Sequence, residues 1–287
     1  MLAPAKINLT LEILARGDDG YHTLRSVMVP IALCDELTIA PAPVFSFTCE
    51  PEALAHDNLV LRALTLLDRT SSPLAVRLRK QIPVGAGLGG GSSDAAAVLL
   101  AGMQGELGEL GERDWIALAR SLGSDIPFFL VESGALVEGT GERVTALGVS
   151  PPWCTVVAIP PVAVDTGEAY RALALARLDA PPPSRPRSDS ASLRVLEAIQ
   201  RADFATVCAH ACNDFEPVVT ALEPRVDADL RALRDAGAPL AMLSGSGACS
   251  FALCATEADA RELMRAVRVP SDTKLVVAPF ANAVAWR

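Results

Sequence analysis

No stretch of this chain holds eighteen uninterrupted apolar residues, so no membrane-spanning helix is expected. Met1 to Asn8 lack the charged-then-apolar layout of a signal peptide, and the expected location is cytoplasmic. Positive charge is also scarce: 25 Lys and Arg stand against 34 Asp and Glu, a net charge of −9. That deficit argues against a partner such as nucleic acid or a membrane surface. A bound phosphate has to be held by local dipoles and a few placed cations. The seven cysteines are odd in number and scattered among apolar residues, which suits reduced thiols filling core space. Cys208 and Cys212 share one helix face, but His210 points to the far side and no fourth ligand stands nearby, so no metal site is read here. No internal repeat is visible.

What is present is a core and a glycine loop. About half of the 287 residues are apolar, enough for one large or two ordinary domains. Gly85-Ala86-Gly87-Leu88-Gly89-Gly90-Gly91-Ser92-Ser93 runs directly into Asp94-Ala95-Ala96-Ala97-Val98-Leu99-Leu100, a series dominated by good helix formers. Glycine lets backbone N–H groups converge, and the first turn of a helix leaves its N–H groups unpaired and partly positive. Together they make an anion site, most often for phosphate. A Walker loop is excluded because no lysine follows the glycines. Gly85, Gly87 and Gly90 do spell G-x-G-x-x-G. A dinucleotide turn, however, leaves a buried apolar strand, whereas Val76 to Ile82 alternate and end at Pro83. A flexible linker would continue into polar sequence. A mononucleotide triphosphate is the leading ligand.

Along the chain, Lys6 to Ile13 has period two and reads as a strand. It points Ile7, Leu9, Leu11 and Ile13 to the core and Lys6, Asn8, Thr10 and Glu12 the other way. Taken by itself, that second set reads as a solvated face. Arg16 to Gly20 is a turn, Thr23 to Leu33 is extended, and Asp35–Ile39 and Val44–Cys49 are short strands. Helices are expected over Leu59–Leu67, with Asp57 or Asn58 as cap, from the glycine loop to about Met103, and over Glu112–Leu122. Ser124 or Asp125 caps a further helix with a proline in its first turn; a carboxylate there can also accept a proton or orient a hydroxyl. Gly134 to Val144 is a strand pair, and Ser150-Pro151-Pro152 marks a domain boundary. The second half mixes strands and helices, with Pro181 to Ser188 as a mobile surface loop and Ser244-Gly245-Ser246-Gly247 as a second glycine-serine turn, open to a plain hairpin reading.

Three elements now stand in order: Pro4-x-Lys6-x-Asn8, the Pro83 to Ser93 loop, and Leu243-Ser244-Gly245-Ser246-Gly247-Ala248. In this order they resemble the galactokinase, homoserine kinase, mevalonate kinase and phosphomevalonate kinase superfamily. Ala5-Lys6-Ile7-Asn8-Leu9, Asp19-Gly20-Tyr21-His22-Thr23-Leu24, Asp57-Asn58-Leu59-Val60 and Leu122-Gly123-Ser124-Asp125-Ile126-Pro127-Phe128 are narrower signs. They are similar to the kinases of that superfamily that act on 4-diphosphocytidyl-2-C-methyl-D-erythritol, on the non-mevalonate isoprenoid route. The resemblance spans nearly the whole chain. It implies an α+β fold of two domains, 1–150 binding ATP and 151–287 on the substrate side, with the active site in the cleft between them. It implies ATP-dependent phosphorylation of the substrate's 2-hydroxyl, with Lys6 and Asp125 as the catalytic pair. ATP would be held by Asn58 near the adenine and by Pro83, Val84, Gly85, Ala86, Gly87, Leu88, Gly89, Gly90, Gly91, Ser92 and Ser93. The substrate would meet Asn8, Tyr21, His22, Thr166, Tyr170 and Gly245, with Tyr21 and Tyr170 on the two faces of cytosine. Mg²⁺ is expected with ATP, yet no carboxylate stands out as its ligand, which leaves ATP oxygens and water to hold most of it. Asp94 is a carboxylate close to phosphates, a position that calls for a metal or a water. A nucleotide-binding module without turnover, and the same fold with homoserine or mevalonate as acceptor, are the competing readings.

Overall fold

The computed structural model describes residues 1–16, 22–178 and 190–281. The Gly17–Gly20 part of the turn, Tyr21 and the proline-rich 181–188 segment lie outside the described residues.

In chain order the first half runs β1 (Leu2–Arg16), β2 (His22–Pro41), β3 (Ser46–Glu50), α1 (Leu59–Leu66), β4 (Leu74–Arg79), α2 (Gly90–Met103), α3 (Trp115–Leu122), α4 (Ile126–Phe129), β5 (Ala135–Gly139) and β6 (Arg143–Ala146). The second runs β7 (Cys154–Ile159), α5 (Thr166–Ala176), α6 (Ala191–Gln200), α7 (Phe204–His210), β8 (Cys212–Asn213), α8 (Glu216–Leu222), α9 (Pro224–Asp235), β9 (Leu240–Leu243), β10 (Ser250–Cys254), α10 (Glu257–Ala266) and β11 (Lys274–Pro279). The described helices include none long and apolar enough to cross a membrane.

One sheet has the order β3-β4-β2-β1-β8, and β5 with β6 extends it from β2; the other has the order β11-β7-β10-β9. β2 is continuous, whereas its sequence reads as two segments. Along one edge it pairs with β1, and along the other with β5 over Leu24–Met28 and β4 over Glu36–Pro41. The charged Asp35 does not break it, because that carboxylate is satisfied inside the fold by Lys80 and the Gln81 and Ile82 N–H groups. β3 pairs parallel with β4. α3 begins at Trp115 instead of Glu112 because Asp114 caps it, accepting from Ala117 N–H.

α2 is buried along nearly its whole length among α1, α3, α4 and the first sheet, and its run of alanines lets those neighbours approach closely. The second sheet alternates. Val157, Met242, Phe251 and Leu253 face a core shared with Ile7, Leu9, Val27 and α6, while Val156, Ala158, Ala241 and Ala252 face α9 and α10.

β1 departs from strict period two. Its register with β2 shifts between Asn8 and Thr10, as a bulge does, and the facing flips at Leu9. Lys6, Asn8 and Leu11 therefore line one cleft. Thr10 and Glu12 turn to the start of α6, where Glu12 accepts from Ser190 Oγ at 2.6 Å, Ser192 Oγ at 2.7 Å and Ser192 N at 3.1 Å. The solvated-face reading is thus corrected: Lys6, Asn8, Thr10 and Glu12 are all buried. Glu12 serves instead as the anion at a helix N-terminus.

Candidate active site

The site begins where two glycine turns interlock. Gly87 adopts φ +75°, and a Cβ there would lie 2.0 Å from Ser244 O. Gly247 answers it: a Cβ there would lie 2.0 Å from Gly87 N. Only two main chains stripped of side chains can cross this closely. Cys249 N donates to Ala86 O at 3.1 Å and Ser244 Oγ to Gly87 O at 3.1 Å, which fastens the crossing. β9 and β10 do form a hairpin around this turn, and the turn also clamps the loop. Asn213 holds the turn from beneath, donating to Leu243 O and Gly245 O at 2.9 and 2.8 Å.

Gly89, with φ +71°, leads into α2, whose first intrahelical bond in this stretch is Ser93 N to Gly89 O at 2.9 Å. The N–H groups of Gly90, Gly91 and Ser92 precede that first bond, as the first N–H groups of a helix do. Ser92 faces the cleft, while Ser93 is fully buried, its Oγ without a hydrogen-bond partner among the described residues. Within the loop, Ala86 and Leu88 are buried and Val84 and Gly85 are exposed. Leu88 O accepts from Lys6 N at 2.9 Å, which ties the loop to β1.

Lys6 is 4% exposed, and its ammonium is 2.7 Å from both Asn8 Oδ1 and Gly87 O. The same ammonium lies 4.0 Å from Asp125 Oδ2. Burial holds the Lys6 pKa below the ordinary lysine value, with Asp125 acting in the opposite direction. Asn8 donates to Ser26 Oγ at 2.8 Å, so its amide is oriented. Asp125 occupies the N-cap position of α4, yet its side chain makes no cap hydrogen bond. Its backbone is helical (φ −86°, ψ −13°) where a cap needs an extended residue, so the capping expectation is corrected. The carboxylate is left for the cleft, with 36% of the side chain exposed.

The cleft has a volume of about 1000 Å³. Its far wall carries His22 stacked on Tyr170, centroids 5.6 Å apart and planes at 24°, with Phe215 edge-on to Tyr170 at 4.8 Å. Burial, and then the charge of Asp125, raises the Tyr170 pKa. His22 Nδ1 is buried with no hydrogen-bond partner among the described residues. Thr166 Oγ1 lies 2.9 Å from Ser246 Oγ, joining α5 to the second turn, and Gly245 (φ +59°) sits between Lys6 and Gly87. Asn58 is apart from the cleft: it caps α1, accepting from Val60 N at 2.9 Å and donating to Leu54 O at 2.8 Å.

Several cleft residues escape sequence reasoning. Arg120, Arg171, Thr140 and Glu142 line it, and none of them stands out from the chain. Beneath the loop, Lys80 bridges Asp35 at 2.5 Å and Asp94 at 2.6 Å. Asp94 therefore has a lysine where its position called for a metal or a water. The alternation of Val76 to Ile82 carries no sign of this cluster; the charge of Asp94 one turn into the helix is the available signal. Among the described residues no three His, Cys, Asp or Glu side chains cluster as a metal site.

Residues 58–133 match the GHMP kinases N terminal domain, and residues 195–269 match GHMP kinases C terminal. The chain is 42% identical over 250 residues to a 4-diphosphocytidyl-2-C-methyl-D-erythritol kinase of Symbiobacterium thermophilum, covering 85% of this chain and 86% of that one. It is 38% identical to the same-named protein of Pelotomaculum thermopropionicum, covering 97% of each. A crystal structure of 4-(cytidine 5'-diphospho)-2C-methyl-D-erythritol kinase superposes with a TM-score of 0.79 at 33% identity, over 98% of this chain and 99% of that one. A homoserine kinase from Cytophaga hutchinsonii, at TM-score 0.70 and 21% identity over 98% and 94% of the chains, shares the fold. An ammonium wedged between a glycine loop and a cleft carboxylate is thus carried on a sequence alike over nearly its full length, and the chain belongs to the 4-diphosphocytidyl-2-C-methyl-D-erythritol kinase family of the GHMP kinases.

Proposed function

We propose that this kinase transfers the γ-phosphoryl group of ATP to the 2-hydroxyl of 4-diphosphocytidyl-2-C-methyl-D-erythritol, with Asp125 and Lys6 as the acting pair. The observation that carries this reading is the reach of one buried ammonium: 2.7 Å to the glycine loop and 4.0 Å to Asp125. A hydroxyl seated beside both gives up its proton to Asp125. Its oxygen bonds to the γ-phosphorus as the bond to the bridging oxygen breaks, and ADP leaves. Lys6 stabilises the forming alkoxide and favours the ionised form of Asp125. The triphosphate lies on the N–H groups that open α2.

The acceptor end follows from the opposite wall. His22 Nδ1 offers an unspent hydrogen-bonding atom for a base beside the Tyr170 ring. Arg120 and Arg171 are the cleft's guanidinium groups and suit the acceptor's diphosphate. Mg²⁺ would arrive on the ATP oxygens, because the described residues of the cleft offer no acidic cluster to hold it, and when bound it would neutralise charge on the transferred group. The test is ATP consumption by the whole chain with the cytidine-linked erythritol, homoserine and mevalonate as alternative acceptors. Turnover confined to the first is expected, and a preference for either of the others would overturn the reading.

A further inference from the structure

The floor of the glycine loop holds more negative charge than its one cation can cancel. Lys80 directly follows β4, and its ammonium touches Asp35 on β2 at 2.5 Å and Asp94 on α2 at 2.6 Å. All three side chains are almost fully buried, at 7%, 0% and 2% exposure. Asp35 is well satisfied, since it also accepts from Gln81 N and Ile82 N. Asp94 is not: its Oδ1 is buried with no hydrogen-bond partner among the described residues. Two carboxylates therefore share one ammonium, and the less satisfied of them stands in the first turns of the anion-binding helix. The cluster touches the loop itself, because a Cβ on Gly90, the first residue of α2, would be 3.2 Å from Lys80 Nζ.

We propose that Asp94 is a positioning residue of the nucleotide site that acts through charge: it opposes the phosphates while ionised, and takes up a proton from solvent as they bind. This rests on the placement of the ATP phosphates on the loop. An anion at the start of α2 raises the cost of a carboxylate in the same turns, and the protonated form relieves it. Protonation also gives Oδ1 a hydrogen, so the unpaired atom becomes a donor. The cluster is poised for this step. Burial, with Asp35 adding to it, pushes the Asp94 pKa up to about 7 against the pull of Lys80. Lys80 keeps its proton: burial works against its charge, but attraction to Asp94 and Asp35 outweighs burial and raises its pKa.

The other groups packed around the cluster contribute in different ways. From β3 the Cys49 thiol faces the cluster, and burial, followed by Asp94 and Asp35, raises its pKa despite Lys80. α1 and α4 pack on α2 within the buried apolar core that holds Val60, Ala63 and Phe129. On β1, Lys6 spends its ammonium on Asn8, Gly87 O and Asp125. It could gain a proton too, which is why the experiment compares variants.

The experiment is calorimetric titration of the full chain with Mg²⁺-ATP, without acceptor, at pH 8 in two buffers of different ionisation enthalpy. The last proton of a phosphate leaves near pH 6, so ATP itself contributes little there. Wild type is expected to take up a measurable fraction of a proton more than Asp94→Asn. Asp94→Asn is also expected to bind ATP several-fold tighter than wild type at pH 8.5, with the gap closing at pH 6. Asp35→Asn removes the carboxylate that helps hold the proton on Asp94. It should lose the extra uptake by a separate route and decides the matter if Asp94→Asn does not fold. Equal proton numbers in wild type and variant, or weaker ATP binding by a folded Asp94→Asn, would overturn the proposal. A wild type that binds no ATP would instead sink the placement of the nucleotide, which is a distinct outcome.

Discussion

Gly247→Ala tests the interlock with a single methyl group. The backbone of Gly247 is not left-handed, so alanine is acceptable there on its own account. The difficulty is external. The new Cβ would stand 2.0 Å from Gly87 N, 2.2 Å from Ala86 C and 2.6 Å from Gly87 Cα. Ordinary contact begins at 3.4 Å, so the main chain of the glycine loop must retreat by about 1.4 Å. No flexible side chain can yield in its place. The retreat stretches the Cys249 N to Ala86 O and Ser244 Oγ to Gly87 O bonds, at a cost of about 2 kcal/mol for two hydrogen bonds. It also moves Gly87 O, to which Lys6 is bonded at 2.7 Å. A displacement of about 1 Å in a reacting constellation costs roughly 10²-fold in rate. The measurement is ADP release with ATP varied at saturating acceptor, beside a thermal melt. The expected result is kcat/KM for ATP down about 10²-fold in a protein that still melts cooperatively. A Gly247→Ala protein with wild-type kcat/KM would refute the reasoning, because it would show that the crossing of the turns does not position the loop.

Asp125→Asn should lower kcat by about two to four decades with the acceptor KM little changed, as loss of a positioned base does; near-normal kcat would remove Asp125 from its role. If protonated Lys6 acts as proposed, the alkaline limb of the rate profile should lie below the ordinary lysine range, because burial depresses its pKa. In Asp125→Asn that limb should move lower still, since the charge that props up the ammonium is gone; a limb that stays put or rises counts against this. The raised Asp94 pKa carries a stability consequence with a definite sign: folded Asp94 binds its proton more tightly than unfolded, so this stabilisation is complete below pH 4 and is lost as pH rises to about 7. Urea denaturation should show wild type losing on the order of 1 kcal/mol per pH unit relative to Asp94→Asn across that window; parallel curves would exclude it. Glu12→Ala strands the buried Ser190 and Ser192 donors at the start of α6 and should cost about 2–4 kcal/mol by the same method, with a cost near zero showing that water replaces the carboxylate.

The sequence could be read wherever one residue's surroundings follow from its neighbours in the chain. The period of β1 placed Lys6 and Asn8 on one face, and Asn58 was recognisable as a cap. The same period failed from Thr10 onward because a bulge leaves no mark in composition, and one extra residue turned Leu11 to the cleft and Glu12 to α6. Lys80 stands in an alternating strand pattern that does not show its burial, because its two partners lie 45 and 14 residues away. The glycines of the loop read as an anion site through backbone freedom. That Gly87 also needs its bareness for the passage of Ser244 and Gly247 depends on a contact the local sequence does not encode.

That contact also sets when the site can come into being. The Ser244 hydroxyl that grips Gly87 O is separated from it by 157 positions. Such distant pairings form late, because a long loop must close before they stabilise anything. A chain emerging from the ribosome holds its complete glycine loop long before it holds the turn that shapes it. Until Cys249 is free to bond Ala86, the loop is tied to β1 through Lys6 but lacks the turn that crosses it, so an unfinished chain holds the loop without its clamp.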